Sequence, residues 1–175
     1  MTNAHDMNHA RPARPTVDRR TAAAWLAAGL LAGCAGGPPV VPATPPRPSR
    51  MSDEQAQDAT VLALGLVGTA YRYGGNTPEG GFDCSGLIMY VYRAAGLATP
   101  RTVREMSLWG QPVHPSFVRT GDLAIFGSRG DASHAGILVG QGRFVHAPST
   151  GGTVSLARLA EGYWSSRLIG YRRPL

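Results

Sequence analysis

A glycine-rich segment that runs directly into an apolar helix is the feature that most constrains this chain. Residues 74–83 contain four glycines and end at Asp83, a residue type that often caps the N-terminus of a helix. Apolar side chains then recur at helical spacing over residues 87–95, which predicts a helix from Asp83 to a stop at Gly96. Cys84 opens this helix, where unpaired backbone N–H groups and the helix dipole favour a thiolate. The position predicts a lowered pKa for the Cys84 thiol and indicates a nucleophile.

The N-terminal 33 residues have the organisation of a bacterial export signal. An arginine pair precedes an apolar stretch over residues 21–31, which is shorter than the roughly 20 residues that a spanning helix needs. The stretch ends in Leu-Ala-Gly-Cys, the pattern of a cysteine that is lipid-modified and becomes the new N-terminus. We expect residues 1–33 to be a lipoprotein signal peptide and Cys34 to carry lipid. The alternative is an ordinary secretory leader that leaves Cys34 unmodified.

Proline is concentrated in residues 34–50, which predicts a semi-rigid tether between the lipidated cysteine and a domain over residues 51–175. That domain is long enough to bury one core. If Cys34 is acylated, Cys84 has no disulfide partner and remains a free thiol in an oxidising compartment.

The charge of the chain gives little support to nucleic-acid binding. The net charge of +6 is a mild excess, and no dense basic run is interleaved with aromatic side chains. A weak attraction to the carboxylates of a cell-wall polymer is equally compatible with this charge.

The predicted elements indicate an α+β domain. A capping box at Ser52 and Gln55 precedes a helix predicted over residues 53–69, and a further short helix is expected over 103–109. Short strands separated by glycine- and serine-rich turns are predicted over 123–126, 135–139, 143–147 and 168–172. Helices followed by a run of strands favour N-terminal helices packed on an antiparallel β-sheet.

Two histidines lie in the predicted hairpin whose turn contains Gly140, Gln141 and Gly142. A three-residue loop places position 136 opposite 146, which leaves His134 diagonal to His146 on one face, within roughly 7–8 Å. A loop centred on Gly140 places the histidines directly opposite each other. A two-residue turn at 140–141 sends them to opposite faces. Two of these three registers bring the imidazoles together.

A thiol and two imidazoles so arranged suit a cysteine hydrolase. His134 would accept the proton of Cys84, and His146 would hold His134 in the required tautomer and orientation. After acylation, His134 would protonate the leaving amine and then activate water. The backbone N–H of Cys84 is a candidate oxyanion donor, and the Tyr73 hydroxyl could reach the same place.

Several segments resemble the NlpC/P60 family of cell-wall cysteine peptidases and occur in that family's order. They are Tyr73-Gly74-Gly75, Phe82-Asp83-Cys84-Ser85-Gly86-Leu87, Pro100-Arg101-Thr102, Gly121-Asp122-Leu123, Ser133-His134-Ala135-Gly136-Ile137 and Phe144-Val145-His146-Ala147-Pro148. The resemblance covers roughly residues 55–173. It implies a papain-like fold, with Cys84 as nucleophile, His134 as base, His146 as the orienting residue and Tyr73 beside the oxyanion site.

The resemblance also implies a substrate and a location. Members of the family hydrolyse amide bonds in peptidoglycan stem peptides, either between D-glutamate and the diamino acid or in the diaminopimelate–D-alanine cross-link. Ala35 after the lipidated cysteine resembles Gram-negative lipoproteins of the outer membrane, which would face this domain to the periplasm. We expect a monomer that needs no cofactor or metal and has peptidoglycan and, through Cys34, a membrane as its partners.

Three other functions remain open at this point. Cys84, His134 and His146 could hold zinc with one open position, although no short zinc-binding motif is present. The chain could be a lipid-anchored wall-binding module without catalysis. It could also be an amidase or acyltransferase on the same fold.

Other polar and aromatic residues receive structural interpretations. Asp83 is expected to be a helix cap and Asp122 a turn residue that binds its own backbone. Arg101 and Arg104 are expected to be solvated loop charges, and His114 a solvated loop histidine. Core packing is expected for Tyr90, Tyr92 and Trp109.

Overall fold

The structure, a computed structural model, describes residues 43–174. The predicted signal peptide, Cys34 and the first part of the predicted tether lie outside the described residues. The helices are α1 Asp53–Gly65, α2 Cys84–Ala94, α3 Val103–Leu108 and α4 Gly162–Ser165, with a 3₁₀ turn over Pro115–Phe117. The strands are β1 Asn76–Thr77, β2 Gly81–Phe82, β3 Gln111–Val113, β4 Leu123–Ser128, β5 Asp131–Gly140, β6 Arg143–His146, β7 Ser155–Arg158 and β8 Leu168–Arg173.

Six of the strands form one antiparallel sheet in the order β3-β8-β4-β5-β6-β7, and β1 and β2 form a separate pair. Helices α1, α2 and α3 all pack against β5, which lies inside the sheet. The predicted α+β class with helices on an antiparallel sheet is confirmed. No helix within residues 43–174 has the length and apolar character needed to cross a membrane.

Helix α1 begins with the predicted capping box. The Ser52 side chain accepts a hydrogen bond from the Gln55 N–H at 3.1 Å, and the Gln55 side chain accepts one from the Ser52 N–H at 2.9 Å. The helix ends at Gly65, before the predicted residue 69. Gly68 has a φ of 95°, which breaks the helical path there.

Helix α2 begins at Cys84, as predicted, because Asp83 caps it by accepting a hydrogen bond from the Gly86 N–H at 2.6 Å. The glycine loop approaches this first turn closely. A Cβ atom at Gly86 would lie 2.0 Å from the Gly75 carbonyl oxygen, so only glycine fits there. The apolar face of α2 is fully buried and consists of Leu87, Ile88 and Val91.

The β5–β6 hairpin follows the first of the three predicted registers. Ile137 pairs with Val145 and Leu138 with Phe144, which by continuation places residue 136 opposite 146. A bulge then shifts the pairing, so that Gly140 pairs with Arg143 at the turn. Strand β5 begins at Asp131, earlier than predicted, and contains a second bulge opposite Phe126 and Gly127.

Two apolar clusters stabilise the sheet. The larger joins buried residues of α1, α2 and α3 to Leu123, Ile125 and Ile137. The smaller is built from Ala124, Phe126, Leu138, Phe144 and Ala157. Burial of these side chains contributes roughly 1.5–3 kcal/mol for each large one.

Asp122 does more than bind its own turn. Its carboxylate accepts a hydrogen bond from the Arg119 N–H at 2.9 Å, as a turn residue would. It also accepts two hydrogen bonds from the Arg173 guanidinium, both at 2.8 Å. Both side chains are buried, so this ion pair ties the last strand to the start of β4.

Part of the predicted tether lies against the domain. The Arg47 N–H donates to the Gln111 side-chain oxygen at 2.7 Å, and the Gln111 amide donates back to the Arg47 carbonyl at 2.6 Å. The Ser49 hydroxyl donates to the Pro174 carbonyl. The described residues that precede α1 are therefore held along the β3–β8 edge of the sheet.

Candidate active site

The Cys84 sulfur lies half-buried at the N-terminus of α2, and helix α2 packs against the strand that carries His134. Burial raises the pKa of the Cys84 thiol above its ordinary value, and the Asp83 carboxylate raises it further. The backbone N–H groups of Ser85 and Cys84 and the charge of Arg101 lower the pKa by less. The predicted lowering of the thiol pKa is therefore wrong for this structure, because burial outweighs the helix terminus.

The Asp83 carboxylate is held by an arginine that sequence analysis assigns to solvent. Arg101 donates to both carboxylate oxygens of Asp83, at 3.1 and 2.7 Å, and to the Ser85 hydroxyl at 2.6 Å. Burial alone would raise the pKa of Asp83, but the hydrogen bonds from Arg101 and the Gly86 N–H lower it below its ordinary value. The solvated role predicted for Arg101 is wrong, whereas the cap role of Asp83 is confirmed.

The two predicted histidines form a hydrogen-bonded pair. His134 Nε2 lies 3.0 Å from His146 Nδ1, and the two rings are almost perpendicular at 88°. Burial lowers the pKa of His134 to about 3, with a smaller contribution from the charge of His146. Burial also lowers the pKa of His146 to about 4. Both imidazoles are therefore neutral near pH 7.

The hydrogen bond between these two nitrogens determines which ring atom of His134 can act as a base. When the Nε2–H of His134 donates a hydrogen bond to His146 Nδ1, the Nδ1 atom of His134 keeps its lone pair and can act as a base. If His134 then gains a proton, its Nε2–H still points at an acceptor. The structure thus brings the two predicted histidines together but forms no hydrogen bond between Cys84 and His134, so their catalytic roles and the proton transfer from Cys84 to His134 stay predictions.

Sequence analysis does not identify Trp164, whose indole lies over both imidazoles. It stacks on His134 at a centroid distance of 5.1 Å and 29°, and meets His146 at 4.7 Å and 76°. The available signal in the sequence is weak: Tyr163 and Trp164 form an aromatic pair in an otherwise polar stretch.

Tyr71, rather than Tyr73, is the tyrosine beside the thiol. The Tyr73 side chain is 88% exposed, so nothing holds it against Cys84. Tyr71 is partly buried and packs on the cluster that also contacts Cys84. Burial raises the pKa of Tyr71, and the nearby charges of Cys84 and Asp83 raise it further. The two tyrosines are only two residues apart, and burial, which distinguishes them, is not visible in the sequence.

The other histidine and the aromatic residues singled out in the sequence have the structural roles predicted for them. His114 is exposed and its Nδ1 accepts a hydrogen bond from the Ser116 N–H at 3.3 Å. Tyr92 is fully buried, and Tyr90 and Trp109 pack against the larger cluster. Within residues 43–174, no group of three or more histidine, cysteine or acidic side chains is arranged to hold a metal ion. The zinc alternative therefore gains no support from the geometry.

A half-buried free thiol at a helix N-terminus, on a helix packed against the strand of a bonded histidine pair, defines the class of α+β cysteine hydrolases. The chain belongs to the NlpC/P60 family, whose family model matches residues 68–173.

Relatives with known names agree with this assignment. The chain is 38% identical over 130 residues to murein DD-endopeptidase MepH of Escherichia coli K12, which covers 69% of this chain and 48% of that protein. It is 41% identical over 127 residues to gamma-DL-glutamyl hydrolase of Bacillus subtilis 168, covering 70% of this chain and 30% of that protein. The chain thus spans about half or less of the length of these relatives.

A solved structure shares the fold. It is a Staphylococcus aureus Mu50 protein of the NLP/P60 family, described as similar to lipoprotein, with a TM-score of 0.66 and 33% sequence identity. The match covers 77% of this chain and 45% of that one.

Proposed function

We propose that this protein is a cysteine endopeptidase that hydrolyses amide bonds in peptidoglycan peptides through an acyl-enzyme on Cys84. The observation that carries the proposal is the His134–His146 hydrogen bond, with His134 on strand β5, against which the helix that Cys84 opens is packed. The names of relatives support the substrate class, since MepH is a murein DD-endopeptidase and CwlT a bifunctional muramidase and DL-endopeptidase.

The first step follows from the resting protonation states. The thiol pKa is raised and the His134 pKa is lowered, so the resting site holds a neutral thiol and a neutral imidazole. The sulfur attacks the carbonyl carbon of the substrate amide as its proton passes to His134 Nδ1. A carbon–sulfur bond forms, and the carbonyl π electrons move to the oxygen. The N–H groups at the start of α2 and the Tyr71 hydroxyl are the donors available for this oxyanion.

In the later steps the thiol proton leaves with the amine, and the thiol is restored with a proton from water. The oxyanion collapses, the carbon–nitrogen bond breaks, and His134 gives its proton to the departing amine, which leaves a thioester on Cys84. His134 then takes a proton from water as the water oxygen attacks the thioester carbon. Collapse of the second oxyanion breaks the carbon–sulfur bond and releases a carboxylic acid, and His134 passes the proton taken from water to the sulfur. His146 accepts the Nε2–H of His134 throughout, which keeps Nδ1 directed to the reaction.

Digestion of purified peptidoglycan tests the proposal and identifies the bond. Muropeptides treated with the wild-type protein should show new free amine and carboxylate ends by mass spectrometry. Cys84→Ala should abolish these products, because no other group forms the acyl-enzyme, whereas His114→Gln, at an exposed loop position, should leave them unchanged. Undiminished cleavage by Cys84→Ala would refute the proposal. Products that couple the acyl group to an added amine would indicate acyl transfer instead.

The same proposal includes a location in the cell envelope. It is supported by the sequence of residues 19–35, in which a short apolar stretch ends in Leu-Ala-Gly-Cys and is followed by Ala35. Several acyl chains on Cys34 would anchor the protein stably, at roughly 0.8 kcal/mol for each buried CH₂. We propose an outer-membrane anchor with the domain in the periplasm.

Labelling cells with a palmitate analogue tests the anchor. The wild-type protein should take up the label and sediment with outer membranes, and Cys34→Ser should do neither. A wild-type protein that stays unlabelled would refute lipidation, and would leave the catalytic proposal unaffected.

A further inference from the structure

We propose that Trp164 is a positioning residue for the reaction: its indole covers the His134–His146 hydrogen bond, fixes both ring planes and shields one side of the pair from water. The inference rests on the proposed function for its effect on catalysis. Its effect on the two imidazoles can be measured without any substrate.

The geometry shows one indole in contact with both rings. Trp164 lies nearly parallel to His134, at 29° and a centroid distance of 5.1 Å. It lies nearly perpendicular to His146, at 76° and 4.7 Å. Because the imidazoles are themselves at 88°, a rotation of either ring away from the shared hydrogen bond would collide with the indole or lose contact with it.

Two phenylalanines complete an apolar enclosure around the pair. Phe126 lies 6.1 Å from the His134 ring and 5.0 Å from Trp164. Phe144 lies 5.0 Å from the His146 ring and 5.3 Å from Trp164. The two phenylalanine rings offer no hydrogen-bond partner, so they do not compete with the hydrogen bond between the imidazoles.

The backbone around α4 holds Trp164 in register with the strand pair below it. The Trp164 N–H donates to the Glu161 carbonyl at 2.9 Å, and the Gly127 N–H donates to the Arg167 carbonyl at 2.9 Å. Strand β4, which contains Gly127, pairs Phe126 with His134. The indole is therefore fixed relative to the strand that carries the base.

Among the titratable groups near this enclosure, His146 is the one whose charge lowers the pKa of His134. On α4 and the turn after it, the Arg167 guanidinium lies 4.0 Å above the exposed Tyr163 ring, and Glu161 is exposed. From the helical layer, the Cys84 thiol and the Asp83 carboxylate, which Arg101 holds, do not contribute to the lowered pKa of His134. Asp131, on the strand of His134, is exposed, and Ser155, which pairs with His146 from the neighbouring strand β7, is uncharged. The pKa of His134 is lowered by burial first and by His146 second.

This enclosure gives Trp164 two effects on the reaction. By shielding one side of the pair from water it favours neutral imidazoles, and a general base must be neutral before attack. When His134 becomes an imidazolium, the indole face provides a cation–π contact that partly offsets the cost of the buried charge. Loss of the indole should let the rings reorient, and misplacement of a catalytic group by about 1 Å can cost on the order of 100-fold in rate.

Three variants separate positioning from simple packing. Trp164→Ala removes the cover, and Trp164→Phe keeps an aromatic face on His134. Trp109→Ala is the matched control, because Trp109 is also partly buried but packs on Tyr92 at 6.2 Å, and not on the imidazoles. Each variant of the full chain, with ¹⁵N-labelled histidine, is followed by imidazole NMR spectra, thermal unfolding and steady-state hydrolysis of muropeptides.

Trp164→Ala should raise the pKa values of both imidazoles from about 3 and about 4 towards the ordinary 6.5. It should also remove the slowly exchanging Nε2–H signal of His134 and lower kcat roughly 100-fold with little change in KM. Trp164→Phe should restore most of these properties. Trp109→Ala should lower the unfolding temperature without changing the imidazole spectra.

Imidazole spectra and titrations that are the same in Trp164→Ala and wild type would overturn the inference, whatever happens to activity. A loss of kcat that merely follows the loss of thermal stability in both tryptophan variants would also overturn it. Cleavage that survives Cys84→Ala would instead refute the proposed function, and the spectra would still decide the role of Trp164.

Discussion

Cys84 lies between opposing electrostatic influences that its neighbours create. Asp83 caps helix α2 by accepting a hydrogen bond from the Gly86 N–H, and the N–H groups of Cys84 and Ser85 lower the pKa of the thiol. The Asp83 carboxylate itself disfavours a thiolate. Arg101 offsets part of that charge by donating to Asp83 and Ser85. The capped helix therefore positions the predicted nucleophile, and the proposed mechanism needs a base to remove the proton from its sulfur.

Iodoacetamide labelling measures this balance. We expect Cys84 to label more slowly near neutral pH than a model thiol, with a midpoint above the ordinary thiol value, because burial raises its pKa. Arg101→Ala should move the midpoint further up, since it removes a positive charge that favours the thiolate, and Arg101→Lys should restore part of the shift. A wild-type midpoint below that of the model thiol would contradict the neutral resting site and indicate a preformed thiolate–imidazolium pair.

The positions of the two histidines on strands β5 and β6 depend on one glycine, Gly136, as well as on the turn between the strands. A Cβ atom at Gly136 would lie 2.5 Å from the Phe144 ring, 2.9 Å from the Val145 carbonyl oxygen and 3.2 Å from the His146 Cβ. The absence of a side chain at position 136 therefore lets β6 and its histidine approach β5 closely.

Gly136→Ala should displace β6 and with it His146. We expect a loss of about 1–3 kcal/mol in the free energy of unfolding from overpacking, and a fall in kcat on the order of 100-fold. Gly170→Ala is the matched control, because Gly170 also lies in the sheet but has no atom within 4 Å of the position of a Cβ. Urea unfolding and muropeptide hydrolysis measure both effects; equal behaviour of the two variants would show that the strand spacing does not set the site.

Elements with strong local signals could be predicted from the sequence. The cap at Asp83 fixes the start of α2, and the apolar residues with the Gly140–Gly142 turn fix the β5–β6 register to one of three choices. Strands β3 and β7 are short edge strands with little apolar alternation, so they are missed. The contacts of Arg101 and Trp164, and the raised thiol pKa, depend on residues far apart in the chain, which local patterns do not contain.

At the scale of the whole molecule, the chain before α1 is part of the folded unit. The paired hydrogen bonds between Arg47 and Gln111, together with the Ser49 contact to Pro174, join that segment to the last strand and its partner. With Arg173 bound to Asp122, both ends of the described chain are fastened to the sheet.

The buried histidine pair should make the stability of the whole domain depend on pH. In the folded protein the pKa values are about 3 for His134 and about 4 for His146, against an ordinary value of 6.5 that applies to the unfolded chain. Below pH 6.5 the unfolded chain takes up protons that the folded protein does not, so stability is complete above this pH and falls as the pH drops towards the folded values.

At about pH 5 the loss should reach roughly 2 kcal/mol for each histidine, up to about 4 kcal/mol for the pair, relative to about pH 7. The lowered pKa values of Asp83 and Glu105 act below their ordinary values of 3.8 and 4.5, outside this window. Urea unfolding at both pH values measures the loss. A variant with glutamine at positions 134 and 146 should lose most of the dependence, and His114→Gln, an exposed position, should keep it. A pH dependence that is equal in all three proteins would show that the pair is solvated or charged in the folded state, which would remove the neutral base from the proposed mechanism.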